Sequence, residues 1–168
     1  HHSATVHRNW NVFADILYTL LCGCGVGYSV QRHHVAQIPK IPQTNLRVHH
    51  CTIQDSIEGW ADAVSMLIID LLRGYYTEFN YSEIRPEGAL IKSIGAKAPG
   101  HLPLKKALEA IRVILIGTMG RQIRPIEAHD VLCLLSEAVF SGGVRRAAMI
   151  SIFSDGDMEM MASKMGDW

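Results

Sequence analysis

The sequence has no excess of charge of either sign, since its 168 residues include 16 Lys and Arg against 16 Asp and Glu. Balanced charge argues against nucleic acid or an anionic membrane surface as a partner, although it leaves room for a local phosphate site. A run of about 20 apolar residues is also absent, because Asp70 and Arg73 interrupt the most apolar predicted helix. Signal-peptide features, internal repeats and low-complexity tracts are lacking as well. We therefore expect neither a nucleic-acid partner nor a membrane span.

The cysteines form no recognisable framework. Cys22, Cys24, Cys51 and Cys133 include no C-x-x-C pair and no regular spacing, which predicts a reduced, cytoplasmic protein. Hydrophobic residues make up 48% of the chain and charged residues 19%, a composition typical of globular proteins. The length predicts a single domain over 1–168. Because two histidines open the chain, we interpret 1–12 as an expression-tag remnant or a truncated start.

Segments with helical and strand-like patterns alternate along the chain. Helices are predicted at 13–21, 55–73, 104–116, 125–140 and 158–165, and strands at 25–30, 48–53, 75–81 and 149–153. Asp55 and Glu58 are predicted to form the capping box of the second helix, and Gly74 to end it. Asp155 or Asp157 is expected to cap the last helix. The alternation favours an α/β fold with parallel strands.

Two segments are rich in glycine. Gly23–Gly27 follows a helix and enters a strand, and its spacing is not G-x-G-x-x-G, so it predicts a tight turn rather than a dinucleotide site. Lys92–Gly100 lacks periodicity and predicts a shaped loop that continues to Pro103. Such a loop either binds phosphate through backbone N–H groups or is simply solvated.

His129 and Cys133 share a helix face because they lie four residues apart. Two ligands do not complete a zinc site, and no second pair is spaced to do so. We therefore expect a helix-start histidine, a buried cysteine and no metal. The four methionines near the end of the chain are interpreted as packing residues rather than a cofactor site: Met158, Met160, Met161 and Met165.

The segment from Ser141 to Met149 joins a predicted buried helix to a short strand. Gly142 and Gly143 give its backbone conformational freedom, and Arg145 and Arg146 supply planar, permanently charged donors. This combination predicts a site for an anion or a nucleotide. A pair of surface arginines after a turn is the alternative.

Five blocks in this order resemble adenosylcobalamin-dependent (class II) ribonucleotide reductase. The blocks are FADILYTLLCGCGVGYSV at 13–30, DSIEGWADA at 55–63, IRPEGALIK with GAKAPGHLPL at 84–104, GRQIRPIEAHD at 120–130 and GGVRR at 142–146. The resemblance extends from about residue 13 to the end of the chain. It implies a ten-stranded α/β barrel made of two five-stranded halves around a finger loop. Most of the first half-barrel, with flanking helices, would lie in this chain.

The resemblance also implies a function and a set of site residues. The family is a group of oxidoreductases that convert ribonucleotides to deoxyribonucleotides for DNA replication by radical chemistry. Cys24, Gly25 and Arg145 are expected at the substrate. The allosteric specificity loop, which lies between the effector nucleotide and the substrate base, is expected to comprise Ser141, Gly142, Gly143, Val144, Arg145 and Arg146.

The resemblance implies partners as well: a ribonucleotide substrate, a deoxynucleoside triphosphate effector and the remaining reductase polypeptide or a complementary subunit. Adenosylcobalamin would bind largely outside this chain. The radical cysteine would follow Trp168, and one reducing cysteine falls near His2, where an imidazole cannot perform thiol–disulfide chemistry. We therefore expect no catalytic residue here and no activity from the isolated chain. The alternative is a non-catalytic nucleotide-binding or interaction module derived from the reductase.

Overall fold

The computed structural model describes residues 2–6, 9–92, 95–141 and 147–165. Its strands are β1 (His2–Thr5), β2 (Gly25–Ser29), β3 (Arg47–Thr52), β4 (Tyr75–Asn80), β5 (Leu90–Ile91), β6 (Ala96–Lys97) and β7 (Ala148–Ile152). Its helices are α1 (Val12–Leu21), α2 (Arg32–Val35), α3 (Ile57–Arg73), α4 (Leu102–Gly117), α5 (Pro125–Phe140) and α6 (Met158–Ala162). None of the helices in these residues is long and apolar enough to cross a bilayer.

The main sheet is parallel and has the strand order β1-β2-β7. Gly27 lies in the middle of β2, opposite Ser3 on one side and Ile150 on the other. A Cβ atom at Gly27 would lie 3.3 Å from Cγ2 of Ile150, so the glycine permits close packing of that side chain. The parallel pairing agrees with the predicted α/β class. Strand β1 was not predicted. A strand of four residues is too short to show a periodic pattern of its own, and β1 forms because it pairs with β2.

A second parallel sheet pairs β3 with β4, and α3 connects the two strands. Asp70 of α3 is 4% exposed, and its Oδ2 atom accepts hydrogen bonds from Thr77 Oγ1 at 2.8 Å and His49 Nδ1 at 2.6 Å. A buried carboxylate needs such partners to offset its lost hydration. Asp70 therefore links the helix to both strands of the sheet.

The hydrophobic core lies between the four long helices and the main sheet. Helix α1 packs against α3 and α5, and α4 packs against the same two helices. Each helix contributes side chains with no exposed surface, among them Phe13, Leu67, Leu108 and Leu132. The apolar spacing in the sequence predicted these four helices, and the structure confirms them to within about three residues at either end.

The start of α3 differs from the prediction. Ser56, not Asp55, is the N-cap, and its Oγ atom accepts a hydrogen bond from the backbone N–H of Gly59 at 2.9 Å. The predicted capping box of Asp55 and Glu58 is therefore wrong, because the N-cap lies one residue later in the sequence. Asp55 instead bonds to Arg85, which is 30 residues away in the sequence. Gly74 ends the helix in the left-handed conformation, as predicted.

Two other segments depart from the expected structure. The predicted loop at 92–103 contains β6, which pairs with β5 in a two-stranded antiparallel hairpin, and the first turn of α4. Helix α6 is capped by Asp157 as predicted but ends at Ala162. Of the four methionines interpreted as packing residues, only Met160 is buried. The other three are exposed by 53% or more: Met158, Met161 and Met165.

Candidate nucleotide site

A cavity of about 330 Å³ lies between the end of α1, the start of α3, the β5–β6 hairpin and the end of α5. Most of its wall is apolar, and Trp60, a residue that is 8% exposed, is part of the lining. Other lining residues are Leu21, Ile57, Ile84, Ile91, Pro99, Ala138 and Val139. Pockets of this size and apolarity hold small ligands when a few polar groups fix the ligand's orientation.

Asp55 and Arg85 supply those polar groups. The Arg85 Nε atom donates to Asp55 Oδ2 at 2.6 Å, and both side chains remain about one-third exposed. A guanidinium binds phosphate oxygens, while a carboxylate accepts hydrogen bonds from sugar hydroxyls. The sequence did not reveal this pair. Asp55 lies in a pattern typical of a helix N-cap, and its partner Arg85 is 30 residues away.

Helix α5 connects this cavity to the predicted specificity loop. Ala138 and Val139 line the cavity, and Ser141 follows them just beyond the end of the helix. Both the backbone N–H and the Oγ–H of Ser141 donate to the Glu137 carbonyl oxygen, at 2.9 and 2.7 Å. Ser141 also lines an adjoining cavity of about 380 Å³ between α4 and α5. The first predicted loop residue is therefore anchored to the helix that lines the cavity.

Strand β7, which begins two residues after the predicted loop, pairs with β2 beside the two other predicted substrate residues. Gly25 lies opposite Ala148, which is two residues beyond 146. Cys24 is half-buried and precedes Gly25 at the turn after α1, where its backbone N–H donates to the Thr19 carbonyl oxygen at 3.2 Å. The other loop residues lie outside the described residues: Gly142, Gly143, Val144, Arg145 and Arg146. The substrate and loop assignments thus stay predictions.

A second cluster joins β2 to α5. The hydroxyl of Tyr28, whose side chain is buried, hydrogen-bonds His129 Nδ1 at 2.7 Å, and Cys133 Sγ lies 3.4 Å from His129 Nε2. Burial raises the pKa of the Tyr28 hydroxyl and lowers the pKa of His129. The expected buried cysteine is wrong, because Cys133 is exposed at the helix surface. Partial desolvation by its neighbours nevertheless raises the pKa of the Cys133 thiol. All three groups are therefore mainly neutral at pH 7. In the described part of the chain, no three His, Cys, Asp or Glu side chains are grouped to hold a metal.

An ion-pair network fixes the first turn of α5. Arg121 forms two hydrogen bonds to the Glu127 carboxylate, at 2.5 and 2.9 Å, and Arg124 donates to it from its backbone N–H and its side chain. Burial alone would raise the pKa of Glu127, but these hydrogen bonds outweigh it and lower the pKa to about 2. Arg124 also pairs with Glu159 of α6. The network holds both helices in place and lies away from the cavity.

No family model matches the chain, but curated relatives do. The adenosylcobalamin-dependent ribonucleoside-triphosphate reductase of Lactobacillus delbrueckii subsp. bulgaricus is 27% identical over 192 residues, which cover 90% of this chain and 25% of the relative. The probable reductase of the same description from Dictyostelium discoideum is 34% identical over 113 residues, or 67% of this chain and 15% of the relative. The chain thus spans about a quarter or less of the length of these relatives.

The fold gives a concordant result. A crystal structure of a B12-dependent (class II) ribonucleotide reductase superposes with a TM-score of 0.84 at 18% identity, over 99% of this chain and 30% of that one. The α/β arrangement described above is therefore the fold of one part of that enzyme's barrel. Over nine-tenths of its length the chain is therefore similar in sequence to one segment of the adenosylcobalamin-dependent ribonucleotide reductases, and it has the fold of the corresponding part of a class II enzyme.

Proposed function

We propose that this chain is part of an enzyme that reduces ribonucleotides to deoxyribonucleotides by adenosylcobalamin-dependent radical chemistry. The observation that carries the proposal is the similarity of 90% of the chain to reductases of that description. Within the enzyme, the chain supplies part of the substrate site and the specificity loop. Because the chain spans about a quarter of the length of these relatives, the other reductase segments would supply the radical chemistry.

The cavity between α1, α3 and α5 supports a regulatory role for this segment. We propose that it binds the effector, a deoxynucleoside triphosphate. Trp60 contacts the base, Asp55 accepts a hydrogen bond from the sugar, and Arg85 binds phosphate. Binding would separate Asp55 from Arg85, so the nucleotide must replace a hydrogen bond of 2.6 Å with bonds of its own.

Helix α5 offers a route from the effector to the substrate. Its last turn lines the cavity through Val139, the predicted loop begins at Ser141, and the strand after the loop pairs with β2, where Ala148 lies opposite Gly25. A nucleotide that binds one arrangement of this turn more tightly than another shifts the population of loop conformations. In that way Arg145 would favour one substrate base over another. A helix end that continues directly into a glycine-rich loop suits such a role.

The cofactor itself would bind elsewhere. Neither cavity described above, at about 330 and 380 Å³, has room for a corrin ring with its nucleotide tail. Neither of these two cavities therefore fits adenosylcobalamin, and the other reductase segments would hold most of it. The alternative function, a non-catalytic nucleotide-binding module, is not favoured, because the relatives are themselves described as reductases.

Thermal unfolding in the presence of nucleotides tests the regulatory role. A deoxynucleoside triphosphate at 100 times its Kd should stabilise the chain by about 2.7 kcal/mol, which corresponds to a rise in Tm of roughly 5–10 °C at this length. Asp55→Asn and Arg85→Gln should each reduce the rise. Asp62→Asn, an exposed carboxylate on the same helix that does not line the cavity, is the matched control and should leave it unchanged.

The outcomes separate the possibilities. No rise in Tm with any nucleotide would refute effector binding. An equal rise in the wild type and in the Asp55 and Arg85 variants would place the nucleotide outside the cavity. Catalysis needs a separate test, in which the chain is combined with the missing reductase segments and adenosylcobalamin.

A further inference from the structure

One pair of side chains that the proposed function does not use has the geometry of a chelate. His129 and Cys133 lie one turn apart on α5, with 3.4 Å between Nε2 and Sγ. Zinc binds a cysteine sulfur at about 2.3 Å and a histidine nitrogen at about 2.0–2.1 Å. With a tetrahedral angle at the metal, these bond lengths place the two ligand atoms about 3.5 Å apart. The two atoms are thus already at the required separation.

We propose that His129 and Cys133 bind a soft divalent transition-metal ion such as Zn²⁺. Thiolate and imidazole are the ligands such ions prefer, whereas Mg²⁺ and Ca²⁺ prefer oxygen. Residues four apart on a helix present their side chains to the same ion without a change in backbone conformation. The Cys133 thiol releases its proton when the metal–sulfur bond forms.

Tyr28 gives the site a fixed orientation. Its hydroxyl holds the imidazole through Nδ1 at 2.7 Å, and this leaves Nε2 directed at the cysteine. Histidine ligands of metals commonly have such a partner on the second ring nitrogen, which sets the tautomer and the ring orientation. Because Tyr28 is buried in the main sheet, the imidazole is attached to a rigid element.

The chelate differs from the structural zinc site that the sequence argued against. A structural site needs four protein ligands, and the described residues bring no third His, Cys, Asp or Glu into position. Cys133 is exposed, so solvent can supply the remaining ligands. We therefore infer an open site that exchanges its metal.

Cobalt(II) is the probe for this site, because a thiolate ligand gives it a charge-transfer absorption in the near ultraviolet. Titration of the purified, reduced chain with Co²⁺ should produce this band and saturate near one ion per chain. Cys133→Ser should abolish the band, while the control Cys51→Ser should retain it. His129→Gln should weaken Co²⁺ binding at least about tenfold, and Tyr28→Phe should weaken it less. His33→Gln, at an exposed histidine on α2, should bind as the wild type does.

A second measurement on the wild-type chain needs no variant. Zn²⁺ should slow alkylation of Cys133 by iodoacetamide, measured by peptide mass spectrometry, and leave the rate at Cys22 unchanged. The proposal is wrong if Cys133 gains no protection from Zn²⁺. It is also wrong if the cobalt band survives Cys133→Ser or if His129→Gln binds Co²⁺ as tightly as the wild type.

Discussion

Among the glycines whose surroundings the structure describes, Gly59 is the one where an added methyl group should destabilise the chain most. It lies in the first turn of α3, and a Cβ atom there would be 2.3 Å from the Gln54 carbonyl oxygen and 2.9 Å from its carbonyl carbon. Real Cβ atoms do not approach backbone atoms so closely. Gly59→Ala therefore forces the segment before the helix to move by about 1 Å, since van der Waals contact needs more than 3 Å.

One favourable and two unfavourable contributions determine the change in the free energy of unfolding. Alanine in a helix is favoured over glycine by up to about 1 kcal/mol. The displaced segment, however, carries Ser56, whose cap on the Gly59 N–H contributes about 1 kcal/mol. Overpacking against a backbone that must move costs about 1–3 kcal/mol more. The net destabilisation is about 1–3 kcal/mol, or a fall in Tm of roughly 3–10 °C for a chain of this length.

Urea unfolding followed by circular dichroism would measure this change, with Gly117→Ala as the matched control. Gly117 ends α4, and a Cβ atom there would meet nothing within 4 Å. The control should therefore be neutral or stabilising by up to about 1 kcal/mol. If Gly59→Ala is as stable as the wild type, or if both variants change stability equally, the reasoning from the close contact is refuted. Because Asp55 and Ser56 line the cavity, Gly59→Ala should also weaken any nucleotide-dependent rise in Tm.

Three further predictions concern buried charge and the loop. Because the pKa of Glu127 is about 2 in the folded chain and 4.5 as the ordinary value, its contribution to stability is present above pH 4.5 and is lost as the pH falls towards 2. Unfolding between these pH values should therefore depend less on pH in Glu127→Gln than in the wild type, and an equal dependence would contradict the assignment. Asp70→Ala should cost about 2–3 kcal/mol in urea unfolding, because it leaves the buried Thr77 hydroxyl without its acceptor. A cost below about 0.5 kcal/mol would show that the carboxylate does not link α3 to the sheet. Arg145→Ala should leave the Tm without ligand within about 1 °C of the wild type yet reduce the nucleotide-dependent rise, and an unchanged rise would remove Arg145 from the nucleotide response.

The sequence predicted elements whose signal is local. Helices α1, α3, α4 and α5 have regular apolar spacing, and Gly74 marks the end of α3 because only the left-handed conformation stops a helix there without strain. Strand β1 had no such signal, since its pairing partner β2 lies more than 20 residues away. A strand of four residues is decided by the sheet it joins rather than by its own composition.

The site was predictable only where a motif marked it. The assignment of Arg145 and its glycines came from the chain alone and stays a prediction, whereas the pairing of Asp55 with Arg85 depends on a turn 30 residues away. Asp55 precedes a helix in a pattern typical of a cap, and Ser56 beside it is an equally good cap. The local sequence does not show which of these two residues caps the helix. In the structure Asp55 pairs with Arg85, and Ser56 is the N-cap. The sequence showed that His129 and Cys133 lie four residues apart on one helix face. Only the structure gives the 3.4 Å between their ligand atoms.

The role proposed for this chain, selection of substrates within a B12-dependent reductase, is tested most directly by combining the chain with the remaining segments of a class II reductase and adenosylcobalamin. The measurement is the formation of each deoxyribonucleotide from a mixture of ribonucleotides, with and without each deoxynucleoside triphosphate. We predict product whose base composition changes with the effector, and a composition that no longer responds in Arg145→Ala. No deoxyribonucleotide, or a base composition that is the same with every effector, would contradict the account.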